Sequence, residues 1–575
     1  MAGPHGQVVP QALHRSQALI GSPIWRIKPQ LLPACERARL SYDRAKSIGL
    51  AYSITKDDLL NLSQKFWDLH TDPITPVDGA ATTLLTIQYN LAAGTITQFS
   101  EGRPDLDAVI DDLLQFRKIG QFMLTEVGHG LDVANLETVA TRLPSGEFIL
   151  TSPTPSAAKY MPPTIPMGVP TIAVVFARLF VSREDYGIRP FLVPLNDGQQ
   201  MCEGVTARLL PYRELASPVN HSITAFKNVR LPSTALLGPL EKSDFPHLSF
   251  LQSIWRIAVG SLALGSVAVP VTKIHTMIGA SYSLRRCVGD AERRVPLLHF
   301  RTQQIPVLTA IAQSYVLEAF QKWAVERFRD ADEDLRVRHG IATCYKAVAV
   351  QFAQSIAMNI SERCGAQGLH SFNMMTRLHA EVRGISIAEG DILVVAIRLA
   401  TELLLGRYEL PATANSSSLL ALHENGLLER CREVISRGTD HRAPGVTKSV
   451  LPYCQRIVEA IGHRMAYDAA VSVGLSQGLI DLFVASIVQL DQAWYSENVG
   501  FNTLQQEDLQ GKALDAILPH VEDLIRAFSV DRYVSAPIVS DKAWDTFVDD
   551  LEVFGGRSRV SHVLEDAYEF PRPHL

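Results

Sequence analysis

Glu389 stands in a setting that could make it a base toward a carbon acid. It lies in the run Ile387-Ala388-Glu389-Gly390, whose apolar and small residues would desolvate the carboxylate, raise its pKa and increase its basicity. Gly390 would let the main chain approach a ligand closely. The pattern Ala-Glu-Gly is short, however, and a solvent-exposed glutamate at the end of a helix can occur in the same three-residue sequence.

A second candidate run lies about 260 residues earlier and reads Thr125-Glu126-Val127-Gly128-His129-Gly130-Leu131-Asp132. The hydroxyl of Thr125 could contact a ligand, although a threonine at a strand end can also satisfy its own turn. Gly128 and Gly130 would let the main chain pass close to a bound molecule. His129 has no companion at metal-ligand spacing, so we expect no metal site here.

Together the two runs resemble motifs of the acyl-CoA oxidase and acyl-CoA dehydrogenase superfamily, flavoenzymes that desaturate thioesters. The first is similar to the oxidase motif T-E-x-G-H-G-T-D/N, which wraps the flavin and the thioester, and the second to the Glu-Gly that removes the α-proton. Four further segments resemble the family in the same order along the chain: 88–98, 226–238, 282–286 with 300–304, and 364–368. The resemblance is closer to the oxidases.

The resemblance implies a mainly α fold with a central β domain, plus an extra C-terminal helical domain. It makes Glu389 and Gly390 the catalytic residues; some relatives keep the base at the position of Trp255, which cannot serve. The implied contacts to FAD come from Thr125, Gly128, Gly130, Tyr160, Met161, Pro163, Arg286, Arg301, Gln304 and Gly365. The implied contacts to the substrate come from Leu131, Asp132 and Arg256.

Three of these positions depart from the family pattern. Leu131 replaces a threonine or serine that can bond to ligand, so we expect altered recognition of the thioester. Pro163 replaces a glycine and has no N–H to offer the flavin. Arg301 replaces a glutamine and adds positive charge near the expected pyrophosphate. Arg286 is expected to clamp that pyrophosphate across a homodimer interface, although both arginines could equally be solvated surface charges.

These matches predict an FAD-dependent enzyme that converts an acyl-CoA into a trans-2-enoyl-CoA, with oxygen as electron acceptor and hydrogen peroxide as product. Two alternatives stay open. The first is a dehydrogenase that passes electrons to a carrier or acts on a thioester held by a carrier protein. The second is a catalytically decayed flavin-binding paralogue.

Composition excludes several other classes of protein. The 575 residues include 54 basic and 60 acidic ones, and no basic tract is present, which disfavours nucleic-acid binding. Seven scattered cysteines without C-x-x-C spacing predict neither disulfides nor a zinc site. The most apolar stretch, 257–271, is shorter than the roughly 20 residues that span a bilayer, so we expect a buried helix.

Both ends of the chain bear on location. The N-terminus lacks the charged and apolar regions of a secretion signal. The ending Pro573-His574-Leu575 faintly resembles the peroxisomal S-K-L signal. We therefore expect an intracellular protein, either peroxisomal or cytoplasmic.

Hydrophobic periodicity divides the chain into four parts. Apolar residues at helical spacing predict helices in 1–120, 241–410 and 419–575, including a stripe from Leu59 to Leu69 and a segment from Ala469 to Leu490. Runs rich in β-branched and aromatic residues predict strands in 121–240, at 138–143, 148–151, 171–181 and 188–195. The segment 411–418, with its Ala-Asn-Ser-Ser-Ser run, is expected to be a linker.

Overall fold

The computed structural model describes residues 14–290, 292–438 and 440–556. The predictions made from the two chain termini lie outside these residues. The first part is helical, and a π-helical segment, Ile87–Ala93, joins two of its helices. Its helices are α1 (Pro23–Arg26), α2 (Ala34–Tyr52), α3 (Lys56–Leu60), α4 (Gln64–Thr71), α5 (Gly79–Thr86), α6 (Gly94–Thr97) and α7 (Pro104–Leu114).

The central part consists of two sheets. The strands are β1 (Ile119–Met123), β2 (Val139–Arg142), β3 (Phe148–Thr151), β4 (Lys159–Tyr160), β5 (Thr171–Val181), β6 (Glu184–Asn196), β7 (Val205–Leu209), β8 (Ser222–Phe226) and β9 (Val229–Leu231). The larger sheet has the order β1-β5-β2-β3-β9, with β6 also paired to β5. The smaller sheet has the order β4-β8-β7. The strands that the sequence predicts are present, and β2 and β3 form the expected antiparallel hairpin.

The described residues after the β part are mainly helical again, apart from a two-stranded ribbon, β10 (Cys287–Val288) with β11 (Val295–Pro296). The third part contains α8 (Pro246–Ser253), α9 (Arg256–Ser266), α10 (Ala268–Arg285), α11 (Arg301–Arg329), α12 (Leu335–Arg363), α13 (Met375–Ile387) and α14 (Ile392–Leu404). The last part contains α15 (Leu419–Ser436), α16 (Pro444–Ser472), α17 (Gln477–Val488), α18 (Gln492–Val499), α19 (Thr503–Ile517), α20 (Val521–Ala527) and α21 (Asp541–Asp549).

Two predicted helical segments are interrupted in the structure. The stripe from Leu59 to Leu69 is divided between α3 and α4 because Leu62 turns the chain with a φ of 46°. The segment from Ala469 to Leu490 is divided between α16 and α17, where Gly474 has a φ of 70°. Left-handed residues end helices in this way, and periodicity alone does not reveal them.

Two hydrophobic cores hold the molecule together. One is continuous through the helical parts and includes Leu59, Ile311 and Phe483. The other fills the β part and includes Phe148 and Phe191. The architecture is therefore mainly α with a central β part and further helices at the C-terminal side, as predicted, while the exact domain boundaries stay a prediction.

Residues 246–285 are long and apolar enough to cross a membrane by length and composition. In the structure, however, 94% of the most apolar window is buried inside the protein. This burial is typical of a core helix, as the sequence predicted for 257–271.

Candidate active site

Glu389 lies in the short loop between α13 and α14, which we call the base loop (residues 388–391). Its backbone is left-handed, with a φ of 52°, and Gly390 follows with a φ of 99°. A left-handed conformation is uncommon for a residue with a Cβ and persists only where its surroundings enforce it. Such strain is found preferentially at functional sites, so the loop conformation itself points to Glu389.

Two side chains from neighbouring helices hold the carbonyl groups of this loop. Lys346 of α12 donates from Nζ to the carbonyl oxygens of Ala388 (2.6 Å), Gly390 (2.6 Å) and Glu389 (3.4 Å). Ser261 of α9 donates from Oγ to the carbonyl oxygen of Glu389 at 2.5 Å. All three carbonyls are therefore bonded from the protein interior.

The carboxylate of Glu389 rests against α9 and the π-helical segment. Its Oε2 accepts a hydrogen bond from Nδ2 of Asn90 at 2.9 Å, and the same amide nitrogen donates to the carbonyl of Arg256 at 2.9 Å. A Cβ at Gly260 would lie 1.2 Å from Oε2, so only glycine leaves room for the carboxylate here. Oε1 makes no hydrogen bond to any described residue.

Burial sets the protonation equilibrium of this group. Desolvation raises the pKa of Glu389 to about 8, although Lys346, the Asn90 hydrogen bond and Arg256 each act to lower it. Burial likewise lowers the pKa of Lys346 to about 8, and Glu389 and Asp391 oppose that shift. A carboxylate with such a pKa is a much stronger base than a solvated one.

Arg256, predicted to bind substrate, is buried beneath the base. Its guanidinium donates to the carbonyl oxygens of Leu59 (3.0 Å) and Asn90 (2.9 Å) and stacks over the ring of Phe66. Burial lowers its pKa to about 9, and the nearby Glu389 acts to raise it. The structure thus places Arg256 behind Asn90 and Glu389, and direct substrate contact stays a prediction.

A buried ion pair supports the run that begins at Thr125. Lys159 of β4 donates to Oε1 of Glu126 at 2.9 Å, and both side chains are 0% exposed. The Glu126 carboxylate also accepts from the backbone N–H groups of Glu137 (2.7 Å) and Thr138 (2.9 Å). Glu126 therefore closes residues 126–138 into a fixed loop.

The candidate ligand-binding residues of this loop differ in their surroundings. Thr125 is partly exposed, its carbonyl accepts from the N–H of Tyr160 at 3.0 Å, and its hydroxyl bonds to no described residue. A Cβ at Gly128 would come within 2.7 Å of the side chain of Ser156, whereas one at Gly130 would meet open space. Gly128 thus serves packing within the loop, and Gly130 leaves its own side of the loop open.

Leu131 and Asp132 lie at the outer turn of the same loop. Leu131 is 68% exposed and left-handed, with a φ of 64°. Asp132 is exposed and accepts from the amide of Asn135. Nearby, His129 bonds to Glu137 at 3.0 Å, and this contact raises the pKa of the imidazole. His129 therefore helps to order the loop.

The expected flavin-facing segment follows on β4. Tyr160 and Met161 are each 41% exposed, a large exposure for apolar side chains next to a buried lysine. The carbonyl of Met161 bonds to Nδ1 of His221 at 2.8 Å. Pro163 is buried and packs into the β part. An exposed aromatic and a thioether at one sheet edge provide a surface on which a planar ring can lie.

The remaining predicted FAD-binding residues fall into two groups. Arg286 follows α10, is exposed, and pairs with no acidic group in the described part of the chain. Gly365 is left-handed, with a φ of 58°, and faces open space. Arg301, by contrast, forms an ion pair with Asp515 at 2.7 Å, and Gln304 is buried and donates to the carbonyls of Leu298 and His299. Arg286 is thus the cation most available to a phosphate.

Sequence reasoning missed four residues of the site: Asn90, Gly260, Ser261 and Lys346. Lys346 carried the clearest signal, since it is a lysine amid apolar helix residues and is 0% exposed. Asn90 is also 0% exposed. A buried polar residue needs a partner, but only the fold identifies that partner as the base loop.

Comparison with known proteins agrees with this geometry. Residues 263–404 match the family model of the acyl-CoA oxidase C-alpha1 domain. The peroxisomal acyl-coenzyme A oxidase 2 of Arabidopsis thaliana is 25% identical over 348 residues, covering 55% of this chain and 49% of that protein. Peroxisomal acyl-coenzyme A oxidase 1 of Mus musculus is 25% identical, covering 49% of this chain and 45% of that protein. In these alignments the chain spans about half the length of the curated relatives it matches.

Solved structures extend the likeness to nearly the whole chain. Acyl-CoA oxidase 1 of Yarrowia lipolytica has a TM-score of 0.80 at 18% identity, covering 96% of this chain and 91% of that one. Acyl-CoA oxidase-2 of Caenorhabditis elegans, crystallised with FAD, ascaroside-CoA and ATP, has a TM-score of 0.78 at 18% identity, covering 96% and 92%. The resemblance that the sequence motifs predicted is confirmed: the chain has the acyl-CoA oxidase fold, and residues 263–404 match the family model of the acyl-CoA oxidase C-alpha1 domain.

Proposed function

We propose that this protein is an FAD-dependent enzyme that desaturates an acyl-CoA between Cα and Cβ, with Glu389 as the base and oxygen as the final electron acceptor. The observation that carries the proposal is the setting of Glu389. Its backbone is left-handed, and the pKa of its carboxylate is raised to about 8. Oε1 bonds to no described residue, and the loop is fixed by Lys346 and Ser261. A carboxylate without a catalytic role is rarely found with both a strained backbone and an unfavourable loss of solvation.

The residues at the β4 edge and after α10 fit FAD. The unbonded hydroxyl of Thr125 can meet a polar ring edge, and the exposed side chains of Tyr160 and Met161 can cover an aromatic face. Arg286 is exposed and pairs with no acidic group among the described residues, so its guanidinium can bind phosphate oxygens. When bound, FAD would accept the hydride from Cβ and pass the electrons to oxygen, giving hydrogen peroxide.

The chain's own groups supply the rest of the reaction. Oε1 of Glu389 takes the α-proton, while Asn90 holds Oε2. The backbone N–H of Glu389 bonds to no described residue, which leaves it free to donate to the thioester carbonyl and so acidify the α-carbon. Base and carbonyl donor then come from one residue.

The two alternatives are a dehydrogenase, in which a different acceptor reoxidises the cofactor, and a paralogue whose site is catalytically inactive. The relatives named above are acyl-CoA oxidases, and the two curated ones are named peroxisomal, which supports an oxidase and a peroxisomal location. The replacement of a glycine by Pro163 at the β4 edge is the feature that favours a dehydrogenase instead. The formed Glu389 loop argues against a decayed paralogue.

The test is an anaerobic titration of the purified protein with acyl-CoA thioesters of increasing chain length, followed by admission of air. We expect loss of the visible flavin absorbance, then rapid recovery with one peroxide formed per flavin. Reduced flavin that persists in air but discharges to an artificial acceptor would indicate a dehydrogenase. No bleaching with any thioester would contradict the proposed function. The same preparation, run on a sizing column, tests the expected homodimer.

A further inference from the structure

Lys346 is a completely buried cation whose main bonding partners are carbonyls of the base loop. Its side chain is 0% exposed, and Nζ lies within hydrogen-bonding distance of the carbonyls of Ala388, Glu389 and Gly390. A lysine ammonium has three hydrogens to donate, which matches these three acceptors. We propose that Lys346 is a positioning residue for the reaction, setting the base loop so that one peptide presents both the base and the donor for the thioester carbonyl.

The argument rests on the proposed function and on the geometry of the peptide bond. In a trans peptide the C=O and N–H point in opposite directions. Because Lys346 bonds the carbonyl of Ala388 at 2.6 Å from the interior, the N–H of Glu389 points away from Lys346. The carbonyl of Glu389 is bonded by Ser261, so the N–H of Gly390 is turned outward as well. Both donors are thus directed away from the core.

A charged residue has a second effect that a neutral donor would lack. The groups facing Glu389 are Lys346 from α12, Arg256 from α9 and Asn90 from the π-helical segment, and Lys346 is the larger of the two cationic influences on its pKa. Asp391 faces Lys346 from the base loop itself. Loss of the Lys346 charge therefore raises the pKa of Glu389 further, and the carboxylate ionises only at higher pH.

The experiment compares K346M, K346Q and K346R with the parent holoenzyme by anaerobic stopped-flow reduction with an acyl-CoA across pH 6–10. We expect K346M to keep FAD but reduce it about 10²-fold more slowly, since a displacement near 1 Å costs about that much. The pH at which its rate reaches half of maximum should rise. K346R, which keeps the charge and several donors, should recover at least about tenfold of the lost rate.

Matched variants separate this role from a general packing role. K273M removes another buried lysine, which pairs with Glu318 at 2.9 Å on α11, and should leave the pH profile unmoved. If K346M does not fold, K346Q decides, because its amide still donates while its charge is gone: we expect the shifted pH profile.

An unshifted pH profile in K346M or K346Q, or flavin reduction by either variant at the parental rate, would overturn the proposal. The parent and E389Q serve as the separate check on the proposed function. If the parent fails to reduce its flavin, or E389Q reduces it as fast as the parent, the proposed function fails whatever Lys346 does.

Discussion

Replacing Gly260 by alanine should disable the base although Glu389 itself is unchanged. A Cβ at this position would lie 1.2 Å from Oε2 of Glu389, 2.3 Å from its Cδ and 2.8 Å from Nδ2 of Asn90. Nonbonded heavy atoms stay at least about 3 Å apart, so the carboxylate must move by roughly 2 Å. It would leave Asn90 and swing toward the open side of the loop.

The expected magnitude follows from that displacement. Misplacement of a catalytic group by 1 Å can cost about 10²-fold in rate, so G260A should reduce its flavin at least about 10²-fold more slowly. The fold should survive, because Gly260 lies inside α9 and alanine favours a helix interior by up to about 1 kcal/mol over glycine. The side chain of Glu389 is only partly buried and has room to move outward.

The assay is single-turnover flavin reduction by a saturating acyl-CoA under nitrogen, with FAD content and melting temperature measured alongside. The matched control is G511A in α19, where an added Cβ has no neighbour within 4 Å, and we expect parental rates there. A G260A enzyme that keeps its FAD and reduces it within about twofold of the parent rate would refute the placement of Glu389 against α9.

Three further predictions follow from charge and burial. R286A should bind FAD about 10- to 100-fold more weakly, since a charge-assisted contact is worth about 1.5–3 kcal/mol. R301A should retain FAD, because Arg301 already pairs with Asp515. Equilibrium dialysis compares the two variants, and equal retention of FAD in both would contradict the assignment of Arg286. The rate of flavin reduction should rise with pH up to about 8, where Glu389 ionises; a flat profile between pH 6 and 9 would contradict the raised pKa. Finally, between pH 4.5, the ordinary pKa of a glutamate, and about pH 8, the folded state keeps a proton on Glu389 that the unfolded chain has lost, so the free energy of unfolding falls as pH rises through this window. At pH 8 the free energy of unfolding of E389Q should therefore exceed that of the parent by on the order of 1 kcal/mol. A less stable E389Q would argue against burial of the charge.

The sequence predicted the order of the helical and β parts and offered Glu389 as a candidate base, because both inferences depend on local pattern. The hairpin of β2 and β3 is encoded in two β-rich runs around Pro144-Ser145-Gly146-Glu147, and the Glu389-Gly390 motif is read directly from the chain. The strain at Glu389 is different, since it depends on helices that are distant in sequence.

The roles of Lys346 and Asn90 could not be predicted for the same reason. Their partners in the base loop are 42 to 44 and 299 residues away, respectively, so no spacing in the sequence connects them. Glu126 shows the opposite case: it lies within a recognised motif, yet its work is to bind Lys159 in a buried pair. A motif position can therefore be structural, and a neighbour of the candidate base, such as Lys346, can lie outside every motif.

The central claim, that Glu389 removes the α-proton, is tested most directly by anaerobic mixing of E389Q with an acyl-CoA. The amide keeps the shape of the side chain but cannot accept a proton, and loss of a general base costs at least about 10²–10⁴-fold. We predict that E389Q retains FAD and still binds the thioester, seen as a perturbed flavin spectrum, but does not bleach on the timescale of the parent. Reduction of E389Q at the parent rate would show that another group is the base.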